Sequence, residues 1–226
     1  MNTDRTGNAL IVGAGGIGTA LAAALSPHGP VTLWSRAQGV DPTDENSVAR
    51  AAEALSPPPT LVFVTTGMLH DDGQMPERSL KELNRTAFER SFLINTIAPA
   101  LIARHVIPRL PRDRRAVFAV LGARVGSIGD NRTGGWHAYR AAKAALVMLV
   151  KTLAIETART HPQAILATLH PGTVDTPMSR PFQRGVPPER LFSPAYAAER
   201  LIAVADALTP ADSGGHFGWD GARIPD

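Results

Sequence analysis

The sequence has no cysteine, which excludes a disulfide framework and any thiolate metal site, and no metal is expected. It has three lysines (Lys81, Lys143 and Lys151), so its formal charge of +3 rests on arginine. Those arginines are scattered except for Arg109, Arg112, Arg114 and Arg115, which fall where a helix pattern gives way to a strand pattern. A solvated loop, or a helix C-terminus that favours cations, accounts for that cluster better than a nucleic-acid surface does. No apolar run reaches the roughly 18 residues of a membrane span, and Met1 to Asn8 is polar. No nucleic acid or membrane is therefore expected as a partner, and the expected setting is cytoplasmic. Internal repeats and low-complexity linkers are absent as well. With 226 residues, 44% hydrophobic, the chain can bury one full core, so residues 1–226 are read as a single domain with a flexible 1–8 segment.

What is present begins with Tyr139 and Lys143. They lie four apart in a stretch that opens after Gly134 and Gly135 and runs through alanines and large apolar residues to Ile155. On a helix they share one face a turn apart. An ammonium close to a phenol favours the phenolate and draws the tyrosine pKa toward working pH, so the pair can serve as proton donor to a carbonyl or acceptor from an alcohol.

A second signal stands near the N-terminus. The apolar run Ala9 to Val12 meets Gly13, Gly15, Gly16, Ile17 and Gly18 and then a helical stretch, Thr19 to Leu25. A buried strand, a glycine turn and a helix N-terminus form a phosphate-binding unit. Gly13 permits the turn, Gly15 the approach of a pyrophosphate, and Gly18 the packing of helix on strand. A glycine-rich first loop also serves methyltransferases, but that reading leaves Tyr139, Lys143 and Arg36 without a role. The second strand, Val31 to Trp34, ends in Ser35 and Arg36, where a dinucleotide fold meets the adenosine ribose. An arginine there suits a 2′-phosphate and a serine can add a hydrogen bond, which favours NADP(H) over NAD(H).

Too few residues separate Arg36 from Asp41 for a crossover helix. A helix from Glu45 to Leu55 follows, with Asp44 or Thr43 as N-cap, and three prolines end it. The next strand, Thr60 to Val64, runs into Thr65, Thr66 and Gly67. After an irregular stretch, Met68 to Glu82, an amphipathic helix spans Thr86 to Leu110 with Asn95 in its apolar middle. A buried asparagine needs partners, either neighbouring backbone or a held water. Further strands read at Ala116 to Leu121, Ala164 to Leu169 and Gly215 to Trp219, and a last helix at Pro194 to Leu208. Residues 178–192 form a proline- and arginine-marked excursion suited to a lid over substrate. Alternating strands and helices predict a doubly wound parallel sheet, an α/β Rossmann-type three-layer fold. The glycine loop, Thr66–Gly67, Ser127 and Pro171–Gly172 all fall at the carboxyl ends of its strands, where such folds place ligands.

In this order, the glycine loop, Asp41, Asn95, Gly126–Ser127, Tyr139 with Lys143, and Pro171–Gly172 resemble the short-chain dehydrogenase/reductase family, over essentially the whole chain from Ala9 to about Gly221. The segments 123–131 and 135–140 are similar to its small C-factor-like branch. The resemblance implies Tyr139 as general acid/base and Lys143 as the group that lowers its pKa and binds the nicotinamide ribose. It also implies Asn95 as holder of a relay water. Asp41 would sit by the adenine, Gly67 by the adenine ribose, and Pro171, Gly172, Thr173, Val174 and Thr176 against the nicotinamide carboxamide. The substrate would be a small carbonyl compound or its alcohol. Helices around 86–110 and 136–158 would build a homodimer or homotetramer.

Three departures stand out. The glycine loop is one residue shorter than the family's. Thr65–Thr66 replaces its usual asparagines. Gly122–Ala123 stands where the serine that polarises the substrate carbonyl is expected, and the nearest hydroxyl in that loop is Ser127. Loss of such a donor typically costs a factor of about 10² to 10³ in rate. The sequence therefore predicts an NADPH-dependent reductase, with a cofactor-binding regulatory protein of little turnover as the alternative.

Overall fold

The computed structural model describes residues 7–71 and 73–226. Most of the expected flexible N-terminal segment lies outside the described residues, and Asn8, counted with it, already begins the first strand. In chain order the elements are β1 (Asn8–Val12), α1 (Gly16–Leu25), β2 (Val31–Trp34), α2 (Glu45–Glu53), β3 (Pro59–Val64), α3 (Arg85–Phe92), α4 (Ala98–Val106), β4 (Ala116–Leu121), α5 (His137–Thr157), β5 (Ala164–His170), β6 (Thr173–Val174), β7 (Leu191–Phe192), α6 (Pro194–Ala207) and β8 (Gly215–Gly218). Six strands make one all-parallel sheet in the order β2-β1-β3-β4-β5-β8.

The near-continuous apolar strands have the two-sided burial of a parallel sheet, and β4 is buried at every residue. Their period of two splits the core. Leu10, Val12, Val64, Phe118, Val120 and Leu166 face α2, α4 and α5, whereas Ile11, Phe63, Val117, Ala119 and Ile165 face α1 and α6. The chain moves from β1 to β2 on one side and then returns to β3 on the other, so the strand order reverses between β1 and β3. The carboxyl ends of those two strands form the crevice where doubly wound sheets bind ligands.

Local signals act as their chemistry requires. Asp44 caps α2 by accepting from Asn46 N at 2.9 Å. Of the basic cluster, Arg115 serves a helix C-terminus, that of α6 rather than of the preceding helix. It donates to Ala205 O at 2.6 Å, Asp206 O at 3.2 Å and Leu208 O at 3.0 Å.

The helix expected over Thr86 to Leu110 runs continuously from Arg85 to Arg109, but α3 and α4 are joined by a π-helical turn, Leu93–Ile97, centred on Asn95. In length and hydropathy this 25-residue helix could cross a membrane, although no uninterrupted apolar run announces it. Here it lies along the sheet, with Ile102, Ala103 and Val106 buried. The two-residue strands β6 and β7 pair in parallel and pin the base of the 178–192 excursion. No sequence pattern marks them.

Candidate active site

The nucleotide end is built by glycines with different duties. Gly13 has φ of +109°, and a Cβ there would stand 2.6 Å from Thr65 Oγ1. A Cβ on Gly18 would stand 1.9 Å from Gly13 O, so α1 can rest on the end of β1 only because Gly18 has no side chain. Gly15, the N-cap of α1, would meet nothing within 4 Å, and Ala14, Gly15 and Gly16 are exposed. No side chain caps α1, so its first N–H groups have no side-chain acceptor, an arrangement suited to an anion. The Thr65 hydroxyl donates to Val12 O and Gly13 O, both at 3.0 Å, and ties β3 to the loop. The Thr66 hydroxyl is buried with no partner among the described residues. Ile17 packs at the margin of the core beside α6, and Thr176 reaches to 2.9 Å from the Cβ position of Gly16. The Pro171–Thr176 segment is thereby brought to the glycine loop.

Beyond β2, Ser35 opens a 3₁₀ turn, Arg36–Gln38, and its hydroxyl donates to Gln38 Oε1. Arg36 is exposed. Asp41 accepts from Thr43 Oγ1 at 2.7 Å and Thr43 N at 2.8 Å; these bonds, with the Arg36 charge nearby, hold its carboxyl below the usual range. The short turn thus brings the Arg36 charge close to Asp41.

At the centre, Lys143 is buried and its Nζ donates to Leu121 O at 2.8 Å, 5.8 Å from the centroid of the Tyr139 ring. Burial pushes the Lys143 ammonium down to about 8. Burial also pushes the Tyr139 phenol up. This corrects the expectation that spacing alone makes a phenolate. In this structure desolvation outweighs the cation, which is engaged with a carbonyl, and the phenol holds its proton. The Tyr139 hydroxyl makes no hydrogen bond to the described residues.

The helix that carries the pair is anchored by residues the sequence did not single out. Gly134, Gly135 and Trp136 all have positive φ (61°, 68° and 50°). Trp136, a bulky residue in a costly conformation, is held by its N–H donating to Glu77 O at 2.5 Å. The buried Glu77 carboxylate accepts from Ala138 N at 3.2 Å and caps α5 from a distant loop. Capping patterns are local, and Glu77 lies 61 residues away from Ala138, so no such pattern could have found it. Asn95 is fully buried. Its Oδ1 accepts from Met68 N at 3.0 Å, and its Nδ2 donates to Met68 O at 2.8 Å and Ser91 Oγ at 3.2 Å. Neighbouring backbone therefore satisfies its side chain. Ser91 donates in turn to Ala138 O at 3.2 Å, and Thr96 to Ala142 O at 2.8 Å, which stitches the π turn to α5 beside Tyr139. Gly67 closes the group, its Cβ position 3.4 Å from Asn95 Oδ1 and 3.7 Å from Lys143 Nζ.

The expectation for Ser127 needs correction. Ser127 is buried and its Oγ accepts from Asp130 N at 3.1 Å, so the side chain is turned into its own loop. Gly126 lies against the backbone of Lys143, where a Cβ would come within 2.9 Å, which holds that loop to α5.

The excursion after Thr176 reaches His70 and Trp136. Met178 O meets His70 Nε2 at 3.0 Å, and Phe182 sets its ring edge-on to Trp136 at 5.0 Å and to His70 at 5.6 Å. Met68, His70, Glu77, Ser91 and Tyr139 line a small pocket.

Two histidines lie under the site. Burial pushes both His170 and His216 down to about 4. Their folded-state pKa values lie below the ordinary 6.5, so the unfolded chain takes up more protons between pH 6.5 and 4. The stability that depends on neutral imidazoles is intact above pH 6.5 and is lost as pH falls toward 4. Melting temperature is expected to drop across that window, by an amount reflecting roughly 2–3 kcal/mol per imidazole. A melting temperature flat from pH 6.5 to 4.5 would contradict their burial as neutral rings.

A glycine-turn βα unit at the switch point, with a tyrosine and a buried lysine one turn apart across the crevice, defines an oxidoreductase of the dinucleotide-binding class. The model of the short chain dehydrogenase family matches residues 40–186, and the chain belongs to that family. It is 33% identical to a 1-hydroxy-2-glutathionyl-2-methyl-3-butene dehydrogenase of Rhodococcus sp. (strain AD45) over 82% of this chain and 78% of that protein. It is 30% identical to the C-signal protein of Myxococcus xanthus over 65% of this chain and 83% of that protein. Among solved structures, the carbonyl reductase Sniffer of D. melanogaster superposes with a TM-score of 0.82 at 19% identity, covering 97% of this chain and 99% of that one. The NADPH-bound carbonyl reductase from chicken fatty liver superposes with a TM-score of 0.81 at 21% identity, covering 98% and 95%. These two structural likenesses concern the fold.

Proposed function

We propose that the protein is an NADPH-dependent reductase of a small carbonyl compound, or in reverse a dehydrogenase of the alcohol. The observation that carries this reading is the Tyr139–Lys143 pair, protonated phenol beside buried ammonium, at the crevice shared with the glycine loop. A nicotinamide cofactor fits the residues present: open space above Gly15, uncapped N–H groups on α1, and the unpartnered Thr66 hydroxyl. Gly13 to Gly18 would take its pyrophosphate, Arg36 and Ser35 its 2′-phosphate, Asp41 its adenine, Gly67 its adenine ribose, Lys143 its nicotinamide ribose, and Pro171 to Thr176 its carboxamide. When bound, the cofactor supplies the hydride. Tyr139 donates its proton to the carbonyl oxygen, and Lys143, still an ammonium near neutral pH, stabilises the phenolate left behind. Asn95 holds the Met68 backbone and the π turn in place behind them. The chicken enzyme is a carbonyl reductase with NADPH bound, which agrees with this reading.

Arg36→Ala is expected to weaken NADPH by about ten- to a hundredfold, the worth of a charge-assisted bond, while NADH affinity stays within about twofold. Calorimetric titration of both cofactors checks this, and equal losses would remove the basis for the NADPH preference. The exposed apolar residues Leu93, Ile97, Met148 and Ile155 on the α3–α4 connection and α5 support self-association through those helices, as dimer or tetramer.

A second reading, a cofactor-binding regulatory protein with little turnover, is favoured by the glycine at position 122 and by the engagement of Ser127 in its loop. The C-signal relative bears a signalling name. The two readings part on whether NADPH is consumed.

A further inference from the structure

Arg140 follows Tyr139 on α5, half-buried against the turn that leads into that helix. Its Nε donates to Gly134 O at 3.2 Å and Gly135 O at 3.0 Å, Nη1 to Val125 O at 3.3 Å and Nη2 to Thr133 Oγ1 at 2.8 Å. An arginine side chain carries five N–H donors, two of them on each terminal nitrogen. Each terminal nitrogen therefore keeps one N–H with no partner among the described residues. All four acceptors are neutral, and no described carboxylate forms an ion pair with the group. A cation drawn partly out of water without a counter-charge is costly. The loop fixes the plane of this guanidinium and leaves its charge uncompensated.

Arg140 lines a cavity of about 410 Å³ together with Arg78, Thr133 and Trp136. Arg78 comes from the loop before α3, and its carbonyl oxygen lies 4.0 Å from the Cβ position of Gly135. Glu82 accepts from the Arg78 backbone N–H at 2.7 Å, but the Arg78 guanidinium has no ion-pair partner among the described residues. Two cations from separate segments thus line one cavity, and no acidic residue is among those that form its wall.

We propose that this cavity binds an oxyanion, a carboxylate or phosphate group, through the two unspent N–H groups of Arg140 and the charge of Arg78. The planar guanidinium matches the oxygens of such a group, and its orientation is already fixed, so little freedom is lost on binding. Trp136 links the site to the reacting centre: its indole lines the cavity and meets the Tyr139 ring edge-on at 6.4 Å. The same chemistry serves a free anion and an acidic arm of the substrate. The site itself stands apart from the reductase reading; its effect on turnover rests on that reading.

The test titrates the purified full chain with inorganic phosphate and with succinate at constant ionic strength, following tryptophan emission because Trp136 lines the cavity. A saturable change is expected with at least one of the two. Arg140→Gln should weaken it by about ten- to a hundredfold, the worth of a charge-assisted bond, and Arg78→Ala by at least about threefold. Arg36→Ala should keep the parent's affinity, which separates this site from the expected cofactor phosphates. Should Arg140→Gln not fold, Arg140→Lys, which keeps the charge and gives up the planar fork, takes its place. No saturable response to either anion, equal affinity in the parent and both cavity variants, or a response lost only in Arg36→Ala overturns the assignment. Benzaldehyde and 4-carboxybenzaldehyde, reduced with NADPH, then distinguish the two sources. A KM raised about tenfold by Arg78→Ala for the acid alone assigns the oxyanion to the substrate. Phosphate that alters benzaldehyde turnover in the parent but not in Arg78→Ala assigns it to a free anion. A parent that binds phosphate at these arginines yet consumes no NADPH with any carbonyl keeps the site and sinks the reductase reading.

Discussion

Tyr139→Phe is expected to lower kcat for carbonyl reduction by about 10³-fold or more, with the Kd for NADPH changed by less than about threefold. The rate loss follows from removing the proton donor; general acid catalysis contributes about 10² to 10⁴. The small effect on binding follows from the structure. The phenyl ring is kept, with its edge contact to Trp136 at a centroid distance of 6.4 Å, and the hydroxyl lost makes no hydrogen bond to the described residues. The variant should therefore melt within a few degrees of the parent. Burial raises the phenol and lowers the Lys143 ammonium to about 8, so the parent's reductase activity is expected to hold around neutral pH and to decline above about pH 8, where the cation that stabilises the phenolate is lost. Steady-state kinetics and cofactor titration on the two proteins check both statements. Turnover that survives the substitution would mean that another group supplies the proton.

The second large effect concerns two glycines that look alike in the sequence. Ala for Gly in a helix ordinarily gains about 1 kcal/mol. At Gly18 the sign reverses, because the new methyl would stand 1.9 Å from Gly13 O and 2.7 Å from Thr65 Oγ1, and α1 would have to lift off β1. Overpacking of this kind costs about 3 kcal/mol or more, which in a domain of this size lowers the melting temperature by roughly 6–12 °C. Displacement of the α1 N-terminus should also weaken NADPH by at least about tenfold. At Gly15, with nothing within 4 Å of the new methyl, Ala should leave the melting temperature within about 2 °C. It should still weaken NADPH, since the methyl occupies the space the pyrophosphate needs. Melting curves with cofactor titrations on both variants separate packing from binding. Equal melting temperatures for the two would contradict the packing assigned to Gly18.

The difference between these glycines shows where sequence reasoning succeeds and where it stops. The apolar strands, the turn of Gly13 to Gly18, and Tyr139 one helical turn from Lys143 are local patterns with local physical causes, and the sheet follows from their alternation. What sequence misses is carried by contacts between distant segments. Glu77 caps α5 from a loop with no periodicity, and the π turn at Asn95 becomes intelligible only once Met68 is beside it. Spacing placed Tyr139 near Lys143 but said nothing of how dry the site is, and dryness decides the direction of the phenol's shift. Ser127 was the nearest hydroxyl along the chain, yet its loop turns it onto Asp130.

The most direct test of the account is to titrate the purified protein with NADPH and with NADH, then add a panel of aldehydes and ketones and follow oxidation of the reduced cofactor. The account predicts tighter binding of NADPH than NADH and consumption of NADPH on at least one carbonyl, lost in the Tyr139→Phe variant. Tight binding of NADPH with no consumption on any of them would contradict the reductase and leave a protein that holds its cofactor without turning it over.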